Sequence, residues 1–123
     1  MHILAVGVNH KTAPVAVREQ VSFNPESLGD ALLSLGQVSG VREGAILSTC
    51  NRTECYCAVT DLADAGEAVV QWLSAFHGMD PEVVRPYLYR YEGREAVTHI
   101  FRVAGSLDSL VVAYMDEVVT SAR

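Results

Sequence analysis

Between residues 48 and 56 the chain sets a thiol, a guanidinium, a carboxylate and several hydroxyls side by side, in the order Ser48-Thr49-Cys50-Asn51-Arg52-Thr53-Glu54-Cys55-Tyr56. Apolar runs flank the polar core of this stretch, Ala45-Ile46-Leu47 before it and Tyr56-Cys57-Ala58-Val59 after it. A polar insert between two strand-like runs predicts a hairpin end that carries chemistry. In an extended backbone residues i and i+2 share a face, which would point Cys50 and Arg52 the same way. A thiol reacts as its thiolate, and a free cysteine near pKa ~8.5 stays mostly protonated at neutral pH unless a cation stabilises the anion. The same guanidinium can instead clamp a carboxylate through two parallel hydrogen bonds.

Each candidate has a plainer alternative. Cysteine is often simply buried, but Cys50 lies between Thr49 and Asn51 in a polar turn. Cys55 and Cys57 share a strand face with Val59, which predicts core positions and argues against a metal or redox role. The three cysteines also lack the paired CxxC spacing of a zinc site, so no metal is expected. Arg52 could be an idle charge at the hairpin tip. His99 falls opposite an apolar seam of Val97, Ile100, Phe101 and Ala104 at ~100° per residue, together with Arg102 and Ser106, and so is predicted to face outward. Ser109, with Asp108, could cap a final helix carrying Leu107, Leu110, Val111, Tyr114 and Val118. His2 and His77 read as surface residues.

Composition narrows the classes. A chain of 123 residues, half hydrophobic and one-fifth charged, fits one soluble globular domain. No apolar run approaches the ~20 residues of a membrane span, and no signal peptide opens the chain, so a cytoplasmic protein with reduced thiols is expected. A net charge of −6 argues against a domain that holds nucleic acid by its own electrostatics. None of the nine glycines forms a GxGxxG loop for a dinucleotide.

The elements that must position these groups follow from periodicity. Ile3 to Val8 is a buried strand feeding the Asn9-His10-Lys11 loop. Thr12, followed by Ala13-Pro14, predicts a cap for a short helix through about Val21. Leu28, Ala31, Leu32 and Leu35 mark one helical face that Gly36 ends. Strands are expected over 43–49 and 53–60. A helix capped by Asp61 or Asp64 carries Ala65, Val69, Trp72 and Phe76 before Gly78. Asp80-Pro81 starts a turn, Tyr87 to Tyr91 alternates like a strand, and a last helical region follows Gly93. Strand, helix, two strands, helix, strand is the split βαβ plan, so the expected class is α+β: a ferredoxin-like sheet with helices on one face and an added C-terminal helical region.

Three stretches resemble glutamyl-tRNA reductase, specifically its N-terminal catalytic domain: the Cys50 stretch, the opening Gly7-Val8-Asn9-His10-Lys11-Thr12-Ala13-Pro14-Val15, and the late run from His99 to Leu110. The resemblance spans about residues 2 to 112 and assigns 1–112 to the catalytic domain. It fails after Val112, where the family's Gly-Glu-x-Gln type segment is replaced by Ala113-Tyr114-Met115-Asp116, leaving 113–123 as a helical tail. It implies that Cys50 attacks the ester of glutamyl-tRNA to give a thioester, that His99 is the active-site histidine beside it, and that Thr49, Asn51, Arg52 and Ser109 contact the glutamyl group. It implies further that NADPH, held by a domain not present in this chain, reduces the thioester to glutamate-1-semialdehyde, the first step of tetrapyrrole synthesis. A helical domain, also outside this chain, would form a homodimer. Two other classes fit the residues: a non-catalytic binding or regulatory module of the same fold, and a small thiol-dependent hydrolase resting on Cys50 and His99.

Overall fold

The computed structural model describes residues 1–106. Its elements run β1 (His2–Asn9), α1 (Val15–Val21), α2 (Leu28–Gly36), β2 (Val41–Ser48), β3 (Arg52–Val59), α3 (Leu62–Phe76), α4 (Pro81–Val84), a 3₁₀ turn at Arg85–Tyr87, β4 (Tyr89–Glu92) and α5 (Arg94–Ser106). The four strands form one sheet in the order β2-β3-β1-β4, with every neighbouring pair antiparallel. The result is a mixed α/β domain. The expected helix over 107–118 and the tail over 113–123 lie outside the described residues.

Alternation along the strands divides the sheet into two unlike faces. Leu4 and Val6 of β1, Ile46 of β2, and Cys55, Cys57 and Val59 of β3 point to one face, where α2 and α3 cover them with Leu28, Ala31, Leu32, Leu35, Val69 and Leu73. This is the main core, and Cys55 and Cys57 are buried in it as their alternation predicts. Helix α3 starts where the side chain of Asp61 accepts the N–H of Asp64 at 2.9 Å, satisfying a donor that the first turn leaves unpaired.

The opposite face is covered by α5, the added C-terminal helical region. Ala96 and Val103 of α5 pack with Ala5, Leu47 and Tyr56. The expected apolar seam of α5 holds only in part, since Ile100 packs against this cluster while Val97 and Phe101 are exposed. His99 is only 8% exposed while Phe101 is 73% and Val97 38% exposed. The reason is the sheet face that α5 meets. Arg52, Glu54 and Tyr56 of β3 and Tyr89 and Tyr91 of β4 make it polar as well as aromatic, so a helix that turns an imidazole inward satisfies groups an all-apolar seam would strand.

At one end of the sheet Val8, Ala13, Val21 and Val84 form a third cluster that seats α1 and α4. Thr12 does not cap α1, whose N-cap is Pro14. Instead the Asn9 side chain accepts the N–H groups of Lys11 (2.9 Å) and Thr12 (3.1 Å), while the Thr12 hydroxyl accepts the N–H of Asn9 at 3.0 Å. Asparagine thus closes the loop after β1 by mimicking a backbone turn. His77 is half-buried, its ring 4.6 Å from that of Phe23, and not a free surface residue. Among the described residues no helix is long and apolar enough to cross a membrane.

Candidate active site

Cys50 occupies the turn between β2 and β3 and is the exposed member of the three cysteines. The turn is held by its own neighbours. The Thr49 N–H donates to the Arg52 carbonyl at 2.8 Å, and the Thr49 hydroxyl accepts the N–H groups of Asn51 and Arg52, both at 3.2 Å. Thr49 is therefore spent in part on shaping the turn. Just below it the buried Ser48 hydroxyl accepts the Phe23 N–H at 2.9 Å and lies 3.2 Å from the Thr53 hydroxyl. Thr49, Cys50 and Asn51 line a cleft of roughly 300 Å³ whose other wall is α1, through Val15, Arg18 and Glu19, with Ser22 just past its end.

Arg52 and His99 meet elsewhere, on a carboxylate that the sequence reading passed over. Glu54 is fully buried on the α5 face of β3. Arg52 Nη1 lies 3.2 Å and His99 Nε2 2.6 Å from Glu54 Oε2. The Tyr89 hydroxyl donates to the same oxygen, and the Tyr56 hydroxyl to Oε1. Burial, and next the charge of Glu54, hold both tyrosines well above their ordinary range, so they serve as donors. Tyr91 stacks on the His99 ring at 4.5 Å and fixes its plane. An anion removed from water needs all of this: several converging donors, at least one of them charged. Arg52 is only 16% exposed, so it is not an idle hairpin-tip charge, and its guanidinium runs along the sheet to Glu54 while Cys50 faces the cleft.

Gly7 makes this cluster possible. It lies in the middle strand β1, opposite Glu54 on one side and Tyr89 on the other. A Cβ there would stand 2.8 Å from Glu54 Cγ and closer still to the Thr53 carbonyl oxygen. With only hydrogen at this position, Tyr89 can reach Glu54 across the intervening strand.

Arg18 is the second group that sequence reasoning missed. Its Nε donates to the Cys50 carbonyl at 3.3 Å and its Nη1 to the Ala13 carbonyl at 2.7 Å. Ser109, expected among the substrate contacts, lies outside the described residues. The structure thus brings Thr49, Cys50 and Asn51 together on the cleft, and Arg52 and His99 together on Glu54. No group of three histidine, cysteine, aspartate or glutamate side chains that could hold a metal ion comes together among the described residues.

A small α/β domain thus carries an exposed thiol on a polar turn facing a cleft and, separately on its sheet, a buried carboxylate that holds a guanidinium and an imidazole. The family model described as "Glutamyl-tRNAGlu reductase, N-terminal domain" matches residues 6–116, and the chain belongs to that family. Glutamyl-tRNA reductase from Nitrosococcus oceani is 52% identical over 112 residues, covering 91% of this chain and 26% of the relative. That from Aromatoleum aromaticum is also 52% identical over 112 residues, with the same coverage. The solved structure of glutamyl-tRNA reductase from Methanopyrus kandleri superposes with a TM-score of 0.69 at 24% identity, covering 98% of this chain and 28% of that one, and so shares its fold. The chain spans about a quarter of the length of these relatives.

Proposed function

We propose that this chain is the part of a glutamyl-tRNA reductase that takes the glutamyl group from tRNA. The observation that carries the reading is Cys50: within a chain of this family, it is the exposed thiol, set on a hydrogen-bonded turn that opens onto a cleft. Its Sγ attacks the carbonyl carbon of the ester joining glutamate to the terminal ribose. A C–S bond forms, the C–O bond to ribose breaks, and the thiol proton leaves with the ribose oxygen, giving a glutamyl thioester and free tRNA. Splitting one acyl transfer into two easier steps is what a cysteine nucleophile offers.

Asn51, Thr49 and Ser109 are assigned to the glutamyl group. Arg52 commits Nη1 to Glu54, and the rest of its planar fork suits a glutamate carboxylate. His99 acts on Arg52 through Glu54, as a positioning residue. NADPH would supply the hydride that turns the thioester into glutamate-1-semialdehyde for tetrapyrrole synthesis. In this reading the work of these residues ends at the thioester. In the same reading, a sheet in which β3 is inserted between β1 and β2 follows the ferredoxin-like split βαβ plan.

The test is incubation of the chain with tRNA charged with labelled glutamate, followed by a denaturing gel without added thiol. The label should travel with the protein, be discharged by hydroxylamine, and vanish in Cys50→Ala. Free glutamate without an adduct makes the chain a thiol hydrolase. Neither product makes it a binding module.

A further inference from the structure

We infer that Arg18 is a positioning residue for Cys50, a staple that fixes the nucleophile's backbone to α1. The inference rests on the acyl-transfer reading of the site and adds a residue to it.

The Cys50 turn projects beyond the sheet, and its internal bonds, all made by Thr49 and Arg52, shape the loop without fixing where it stands relative to α1. Arg18 supplies that link. Its side chain crosses between the two walls of the cleft, with Nε on the carbonyl of Cys50 itself and Nη1 on the carbonyl of Ala13. Ala13 is a firm anchor: it is buried in the cluster around Val8, Val21 and Val84, and its own N–H donates to the Asn9 carbonyl at 3.0 Å. A planar guanidinium that meets two carbonyls at once fixes distance and angle together, which a lysine ammonium cannot do. A second tie, Phe23 N–H to Ser48 Oγ, holds the base of the hairpin but stops two residues short of the thiol. Misplacement of a reacting atom by about 1 Å costs as much as roughly 10²-fold in rate, so the Arg18 staple sets how often Cys50 Sγ meets the ester carbonyl in line.

Arg18→Met and Arg18→Lys, made in this chain, test the staple with two independent readings. The first needs no substrate: amide hydrogen exchange at Thr49, Asn51 and Arg52 should rise at least about tenfold in both variants, while the amides of β1 and β3 beyond the turn keep their protection. The second is transfer of glutamate to Cys50 from charged tRNA. Its rate at saturating tRNA should fall at least about tenfold, its half-saturation should stay within about twofold, and lysine should restore little. Unchanged exchange overturns the inference, and so does a loosened turn that acylates at the normal rate. A raised half-saturation at full maximal rate, or full rescue by lysine, makes Arg18 a substrate contact or a bare charge and overturns it too. Wild-type protein that takes up no glutamate refutes the acyl-transfer reading, and the exchange measurement then decides the staple alone.

Discussion

Glu54→Gln is the perturbation that the buried cluster makes most informative. The replacement keeps the volume but removes the charge and turns one acceptor oxygen into an NH₂ donor. Four donors converge on this carboxylate: the Tyr56 and Tyr89 hydroxyls, Arg52 Nη1 and His99 Nε2. With the amide nitrogen on the Oε2 side, it faces three of them; on the Oε1 side it faces Tyr56, and one neutral oxygen must serve the rest. The charge-assisted bond from Arg52 is worth about 1.5 to 3 kcal/mol, and a buried donor left facing another donor costs about 1 to 3 kcal/mol. The sum agrees with the roughly 3 to 5 kcal/mol lost when one partner of a buried ion pair is removed. For a domain of this size 1 kcal/mol corresponds to about 3 to 5 °C, so the thermal midpoint should fall by about 10 to 20 °C. Circular dichroism melts at pH 7 provide the assay, and Arg52→Met in the Glu54→Gln background should cost less than it does in wild type. A midpoint within about 2 °C of wild type would refute the view that Glu54 holds this face of the sheet together.

Three other measurements probe the thiols, Gly7 and His77. Limiting alkylation near neutral pH should label the exposed Cys50 well before the other thiols, because burial pushes Cys57 up to about 12 and Cys55 well above its usual range; equal labelling by peptide mass would contradict this. Gly7→Ala should destabilise the chain by at least about 2 kcal/mol in urea unfolding, since its methyl meets the Thr53 carbonyl and Glu54, and a loss below 0.5 kcal/mol would mean that β1 yields easily. Burial lowers the His77 pKa against a weaker opposing hydrogen bond to the Val21 backbone, so the unfolded chain takes up its proton first. Stability from this group is complete above about pH 6.5 and is lost as pH falls through the lower folded value. The midpoint difference between His77→Phe and wild type should be flat above pH 6.5 and shift in favour of the variant below it; a pH-independent difference would exclude the effect.

The hairpin and the helices of the main core were legible because each announces itself locally. Leu28, Ala31, Leu32 and Leu35 repeat at helical spacing and are all buried on α2, and the polar turn with its single cysteine stands between two apolar runs. Glu54 was not legible as a centre because its partners come from Tyr89 and His99, which lie 35 and 45 residues away and meet it only across the sheet. A trace of the cluster was nevertheless present. Arg52, Glu54 and Tyr56 alternate onto one strand face, and the Tyr89 and Tyr91 pair offers a second face of the same kind, so a carboxylate met by hydroxyls could have been inferred. Hydrophobic spacing then misled on α5, where the sheet demanded an imidazole and left Phe101 outside. Arg18 carried no signal, since its role depends on two backbone carbonyls and not on any side-chain pattern.

Acceptance of the glutamyl group by Cys50 is tested at the atom concerned by mass spectrometry of the acid-quenched reaction with charged tRNA. The intact chain should gain the mass of one glutamyl residue, proteolysis at low pH should place that mass on the peptide containing Cys50, and Cys55 and Cys57 should remain unmodified. A glutamyl mass on any other residue, or none on a chain that has consumed the ester, would contradict it.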